Sequence, residues 1–282
     1  MTAANDIDHD ARGRQNLWRR WAAHVAAALT ALTRPPRQTK NAWPVSGRQL
    51  AIGASAALVV FFLAMIFVDA AAVRAVDQLP AWVRSFFDQI TDFGKSGWFL
   101  WPLGILFLVL AAMPTLPRVP QLVLAAIMVR VGFLFMAIAA PSLFDTIIKR
   151  MIGRARPLVG GSLDPYLFSP FKWTSAYASL PSGHTTTAFA AAVDFGMIWP
   201  RARVVLWIYA LLIAMSRIVV TAHYPSDVLA AAGVGIVGAL LVRRWFALRR
   251  LGFSIAGDGT IYLRPGPSLA RIKAVARALL AQ

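Results

Sequence analysis

The sequence predicts an all-α, polytopic membrane protein: a six-transmembrane-helix bundle accompanied by short interfacial helices. Three observations predict it. The 282-residue chain is 58% hydrophobic and only 15% charged. Several of its apolar runs are long enough to cross a hydrocarbon layer of roughly 30 Å. Its basic residues, which give a net charge of +17, gather in short loops between those runs and in the two tails. Charge spread in this way reports topology and contact with anionic lipid; no nucleic-acid recognition motif accompanies it, so nucleic acid is not an expected partner. The chain has no cysteine, which excludes disulfides and thiolate chemistry. Its four histidines lack the spacing of zinc ligands, so no metal site is expected.

The composition divides the chain into three segments: a cytoplasmic N-terminal segment (1–48), a six-helix membrane domain (49–245) and a cytoplasmic tail (246–282). Residues 1–13 are polar and expected to be disordered. No cleavable signal is expected in 1–48, which lacks a short apolar core before a small-residue cleavage site. From Arg14 to about Thr33 the pattern suits an amphipathic helix with Trp18 and Trp21 at headgroup level, ended by Arg34-Pro35-Pro36-Arg37.

The first span is expected at 49–72. Residues 73–96 place Leu79, Trp82, Val83, Phe86, Phe87 and Ile90 at helical spacing, the pattern of a short helix lying on the membrane surface. A second span is expected at 96–113, and a tight turn at Pro114–Pro117. The third runs from about Val119 to Ile148 with Arg130 snorkelling from its first turns. A loop at 158–180 carries Tyr166, Phe168, Phe171 and Trp173 as interfacial anchors. Spans four to six are expected at 184–199, 204–220 and 226–241. Asp194 lies ~15 Å into the fourth by helix rise and is expected to face the bundle. In the tail, Phe253–Leu263 reads as a small hairpin turning at Gly257-Asp258-Gly259, and Ser268–Leu280 as a basic amphipathic helix.

Six spans put both termini on one membrane face. Twenty Lys and Arg fall on that face and nine on the other, so the positive-inside rule places the termini in the cytoplasm, most simply that of a bacterial inner membrane.

The polar residues at the opposite, outer face form three stretches. In KRMIGRARP (149–157), Lys149 and Arg156 are two fixed cations seven residues apart, suited to an anion with several oxygens. Asp145, one turn earlier, is placed to pair with Lys149. In PSGH (181–184), Ser182 stands where it can cap a helix, Gly183 opens the turn, and the exposed N–H groups favour an anion beside His184. In SRIVVTAHYPSD (216–227), Arg217 ends one span, and Asp227 follows His223 by four residues, within reach of a ring nitrogen. Such a pair would leave the other nitrogen of His223 free as a nucleophile. Taken singly, the three also read as a snorkelling basic cluster, a capped helix and a structural His–Asp pair.

Together, KxxxxxxRP, PSGH and SRxxxxxHxxxD resemble the type 2 phosphatidic acid phosphatase family, within the superfamily that also holds vanadium haloperoxidases. The resemblance implies an integral-membrane phosphatase acting on a lipid phosphate or pyrophosphate at the outer leaflet through a phosphohistidine, without a cofactor. Lys149, Arg156, Arg217, Ser182 and Gly183 would bind the phosphate. His223 would attack phosphorus, Asp227 would orient it, and His184 would serve as general acid and then base. Undecaprenyl pyrophosphate, phosphatidylglycerol phosphate, phosphatidate and phosphorylated lipid A are all candidate substrates. A phosphotransferase of the same superfamily, or a non-catalytic anion or lipid transporter, would use the same cationic cluster. The sequence does not fix the oligomeric state.

Overall fold

A computed structural model describes residues 18–19, 21–36, 45–113 and 116–280. The N-terminal stretch 1–13 and part of the expected turn at 114–117 lie outside them. Ten helices and one hairpin are described: α1 Trp21–Thr33, α2 Gly47–Leu63, α3 Asp69–Asp77, α4 Ala81–Thr91, α5 Gly97–Ala112, α6 Arg118–Ile152, α7 Gly183–Ile198, α8 Arg203–Val219, α9 Pro225–Leu248, β1 Phe253–Ile255, β2 Ile261–Leu263 and α10 Leu269–Leu280.

Among the described residues, five stretches are long and apolar enough to cross a membrane: Gly47–Asp77, Ala81–Ala112, Arg118–Ile152, Pro200–Val219 and Pro225–Leu248. The expected fourth span, α7, has 16 residues, ~24 Å of helix. It differs from the others in burial: Thr185 to Ala192 are all buried. Small side chains make this possible, because they let neighbouring helices approach to backbone contact. At Gly235 of α9 an added Cβ would meet the Thr186 carbonyl and the Ala190 amide of α7, and at Gly238 it would meet Pro141 of α6.

The first span begins with a capping box. The Gln49 amide donates to Ser46 Oγ at 3.2 Å and the Ser46 amide to Gln49 Oε1 at 2.8 Å. No residue of α2 is buried, as suits a helix surrounded by lipid. It runs through five π-helical residues, Ala64–Val68, into α3. Residues 73–96, read as one surface helix, divide instead among the end of α3, α4 and a 3-10 turn at Asp92–Gly94. Pro80 forces the break, since it cannot continue α3 but suits the start of α4.

The chain forms two compact units. One comprises Asn41–Leu100 and Leu134–Arg243; the other comprises Met1–Lys40, Trp101–Phe133 and Arg244–Gln282. In the first, α7 packs chiefly on α8, with Phe189 edge-on to Trp207, and Phe99 touching both Phe195 and Tyr209. In the second, Phe133 packs edge-on against Phe246 and Phe253. The hairpin pairs Phe253 with Leu263 and Ile255 with Ile261. Arg130 donates to the Ala126 and Arg264 carbonyls at 2.8 Å each, tying α6 to the residue just after β2.

Candidate active site

The first motif ends α6. Lys149 Nζ lies 2.5 Å from Asp145 Oδ2, and Thr186 donates to the other oxygen of Asp145 at 3.2 Å. Gly153 ends the helix at φ +64°, and an added Cβ would collide with the Ser169 carbonyl and Pro170. Beyond it the chain is laced to the 158–180 loop. The Ser169 amide donates to the Gly153 carbonyl at 2.7 Å, the Ala155 amide to Leu167 at 2.9 Å and the Arg156 amide to Ala176 at 2.8 Å. Arg154 is fully buried and Arg156 partly so, with Arg156 Nε buried and unpartnered.

The second motif opens α7. Ser182 occupies the N-cap position as expected but makes no capping bond; its hydroxyl instead accepts from Thr185 Oγ1 at 3.2 Å. The expectation that Ser182 caps the helix is thereby corrected, and the first N–H groups of α7 are left to another acceptor. Gly183 is where the second motif approaches the first. An added Cβ would stand 3.0 Å from Lys149 Nζ and 3.1 Å from Asp145 Oδ2, so the first two motifs touch. Gly94, a residue with no mark in the sequence, is packed as closely against His184.

The third motif spans the turn between α8 and α9. Arg217 Nη1 contacts Thr91 Oγ1 at 2.5 Å, while its Nε is buried without a hydrogen-bond partner among the described residues. Thr221 takes φ +54°, and the Ala222 and His223 amides both donate to the Arg217 carbonyl. This closes a tight loop that buries the His223 ring.

The expected bond between Asp227 and His223 is not formed. His223 Nδ1 is 3.9 Å from Asp227 Oδ2 but 2.7 Å from the Ser179 carbonyl oxygen. A carbonyl only accepts, so Nδ1 carries the ring proton and Nε2 keeps its lone pair. Asp227 acts one step back: its Oδ2 accepts from the Ser179 hydroxyl at 2.6 Å and the Tyr224 amide at 2.9 Å, and its Oδ1 from Arg154 Nη1 at 2.6 Å. The tautomer expected from the sequence is obtained through a different acceptor.

Burial is the largest influence on His223, and the charges of Arg217, Arg156 and Lys149 add to it. Together they hold the imidazole well below its ordinary pKa despite the Ser179 bond. Burial and the neighbouring Arg150 lower Arg156 as well. Lys149 and Arg217 also lie within electrostatic reach of His184. Thus Lys149, Arg156, Arg217, Ser182, Gly183, His184, His223 and Asp227 come from three distant segments into one neighbourhood of neutral imidazole ringed by cations. Such an arrangement can bind a multiply charged oxyanion and present a nitrogen lone pair to it.

The family model described as the PAP2 superfamily matches residues 130–251, which contain all three motifs. The lipid A 1-phosphatase of Rhizobium johnstonii is 35% identical over 199 residues, covering 70% of this chain and 81% of that protein. The chain belongs to the PAP2 superfamily. As a PAP2 protein it is an integral-membrane lipid phosphatase. The lipid A 1-phosphatase of Rhizobium etli is 34% identical over 70% of this chain and 85% of its own length. The crystal structure of Aquifex aeolicus LpxE aligns at a TM-score of 0.46 with 23% identity, over 62% of this chain and 93% of that one.

Sequence reasoning missed three residues of this PAP2 site. Ser179 supplies the acceptor for His223 from the loop, and no motif flags a backbone carbonyl. Thr91 of α4 contacts Arg217, and nothing in its surroundings marks it. Asp69 is bonded to Arg154 and Ser226. It carried a usable signal, because an ionisable residue inside an apolar span is a site candidate by default.

Proposed function

We propose that this PAP2 protein dephosphorylates a lipid phosphate at the outer leaflet of a bacterial inner membrane through a covalent phosphohistidine at His223. The two rhizobial relatives favour the 1-phosphate of lipid A as the substrate. One observation carries the chemistry: the 2.7 Å contact from His223 Nδ1 to the Ser179 carbonyl, which leaves Nε2 unprotonated among three cations.

In the first step Nε2 forms a bond to phosphorus while the bond from phosphorus to the lipid oxygen breaks in line. His184, whose protonated form the bound phosphate's negative charge favours, gives its proton to that oxygen, and the lipid leaves as an alcohol. Lys149, Arg156 and Arg217 hold the equatorial oxygens with the Ser182 hydroxyl and the Gly183 amide, where charge builds in the transition state. The phosphorylated His223 ring is cationic, and the Asp227 carboxylate 3.9 Å away stabilises it. In the second step neutral His184 takes a proton from water, whose oxygen attacks phosphorus. The nitrogen–phosphorus bond breaks and inorganic phosphate leaves. His223 returns neutral and His184 returns protonated, so one water is consumed per phosphate released. The fixed cations carry the charge stabilisation, and no metal ion is required.

The orientation rests on the excess of Lys and Arg flanking both termini. Lipid-facing helices such as α2 would let an acyl tail remain in the bilayer while only the phosphate enters.

Detergent-purified protein should release phosphate from lipid A carrying a 1-phosphate in the presence of EDTA. Phosphatidate, phosphatidylglycerol phosphate and undecaprenyl pyrophosphate should react more slowly. Preference for one of those three would overturn the substrate assignment. A requirement for added divalent metal would overturn the mechanism.

A further inference from the structure

Asp69 belongs to the first span, which contributes none of the residues of the three motifs. It comes directly after the π-helical residues Ala64–Val68. A π turn holds one residue more than an α turn, so it rotates the helix beyond it by roughly 100° relative to an uninterrupted α-helix. The carboxylate so aimed is fully buried. Its Oδ1 accepts from the Ser226 amide at 2.9 Å, and its Oδ2 from the Ser226 hydroxyl at 2.5 Å and Arg154 Nη2 at 2.7 Å.

Arg154 is the hub. Its Nε and Nη2 donate to the Pro165 carbonyl at 3.1 and 2.9 Å, and its Nη1 to Ser226 Oγ at 2.7 Å and Asp227 Oδ1 at 2.6 Å. Its guanidinium lies over the Tyr224 ring, 4.5 Å from the centroid. From Asp227 the bonds continue through the Ser179 hydroxyl to the residue whose carbonyl holds His223 Nδ1. Two carboxylates thus share one guanidinium, all three side chains being 0% exposed. Besides the Pro165 carbonyl and the Phe168 ring, 5.8 Å from the guanidinium, the branches described here end on Ser226, Asp227, Tyr224 and Ser179, around the His223 turn.

We propose that Asp69 is a positioning residue for the phosphoryl-transfer step, acting through Arg154 and Ser226 to fix the Asp227–Ser179 frame that aims His223 Nε2. The inference rests on His223 being the nucleophile. Among the described residues the network's side chains make no hydrogen bond or ion pair to Lys149, Arg156 or Arg217, although Asp227 lies within electrostatic reach of Arg156. Its disturbance should therefore misaim the attack while sparing substrate binding.

The test is Asp69→Asn, which keeps the size and removes the charge. Folding is checked by detergent size-exclusion and thermal unfolding, and His223→Ala is run beside it. Misplacement on this scale lowers kcat by on the order of 10²-fold. KM for the lipid and inhibition by inorganic phosphate should stay near wild type, while inhibition by vanadate, the five-coordinate mimic, should weaken in parallel with kcat. Folded Asp69→Asn with wild-type kcat overturns the proposal, as does an equal loss of phosphate and vanadate binding. If Asp69→Asn does not fold, Ser226→Ala replaces it, removing the hydroxyl shared by Asp69 and Arg154. A smaller kcat loss at constant KM then supports the proposal, and unchanged kcat overturns it. An active His223→Ala would instead remove the nucleophile on which the inference rests. An inactive His223→Ala with a fully active Asp69→Asn would remove the inference alone.

Discussion

At the scale of single residues, the site is set by which atoms accept hydrogen bonds. His223 donates to a carbonyl, and the Asp227 carboxylate receives Arg154, Ser179 and Tyr224 but not His223. Asp227 therefore supports the loop without setting the tautomer. Because the imidazole is held well below its ordinary value by burial and three cations, it stays neutral on acidification through about pH 6.5, where a free histidine would protonate. The limb of the kcat/KM profile that reports His223 protonation should thus lie well below that pH. In Arg156→Met one of the causes is removed, so the residual activity should show this limb at higher pH. Comparing both proteins on the same lipid cancels the titration of the substrate. A limb that stays put or moves down would contradict the electrostatic assignment. Arg154 carries a different kind of weight. Arg154→Met would leave two buried carboxylates without their cation and should cost about 3–5 kcal/mol of stability, measured by thermal unfolding in detergent. Unfolding within about 1 kcal/mol of wild type would mean that the carboxylates reach solvent.

At the scale of elements, two glycines bring the motifs together. Gly153 needs its positive φ to stop α6 and deliver Arg154 inward and Arg156 toward His223. Gly153→Ala adds a backbone collision at Ser169 and should destabilise the fold by about 1–3 kcal/mol. Gly183→Ala should act otherwise. It leaves the helix intact but pushes on the Lys149–Asp145 pair, so activity should fall by on the order of 10²-fold with little change in unfolding temperature. Wild-type activity in Gly183→Ala would mean that Lys149 is not held where the phosphate binds. Much at this scale was legible in the sequence. The cations and histidines sit at helix ends because Gly153, Pro181 and Pro225 stop or start helices there, and such signals are local. The Ser179 contact was not legible, because it depends on how the 158–180 loop folds back onto residues 153–156. Asp69 was visible as a charge in an apolar run, but its direction depends on a π turn that no residue pattern announces. An apolar helix, α7, stands where the fourth span was expected, but at 16 residues it is shorter than the five spanning stretches, and its thorough burial, with small side chains meeting Gly235, is a tertiary effect.

At the scale of the whole molecule, orientation is the open consequence of charge asymmetry. A chain without cysteine suits a direct test by single substitutions. Trp173→Cys lies in the 158–180 loop, where Trp173 is 76% exposed, and Tyr262→Cys lies on the tail hairpin, where Tyr262 is 52% exposed. A membrane-impermeant maleimide should label the first in intact spheroplasts and the second only after permeabilisation. The reverse pattern would place the site in the cytoplasm and exclude a substrate confined to the outer leaflet.

The central claim is that His223 Nε2 takes the phosphoryl group. Rapid quenching of the enzyme with lipid A radiolabelled in its 1-phosphate, followed by peptide mapping, tests it most directly. The expected result is an acid-labile, alkali-stable label on the peptide carrying His223. In His184→Gln, which lacks both the acid of the first step and the base of the second, label formation and phosphate release should both slow. A label on any other residue, or single-turnover phosphate release from a folded His223→Ala protein, would contradict the claim.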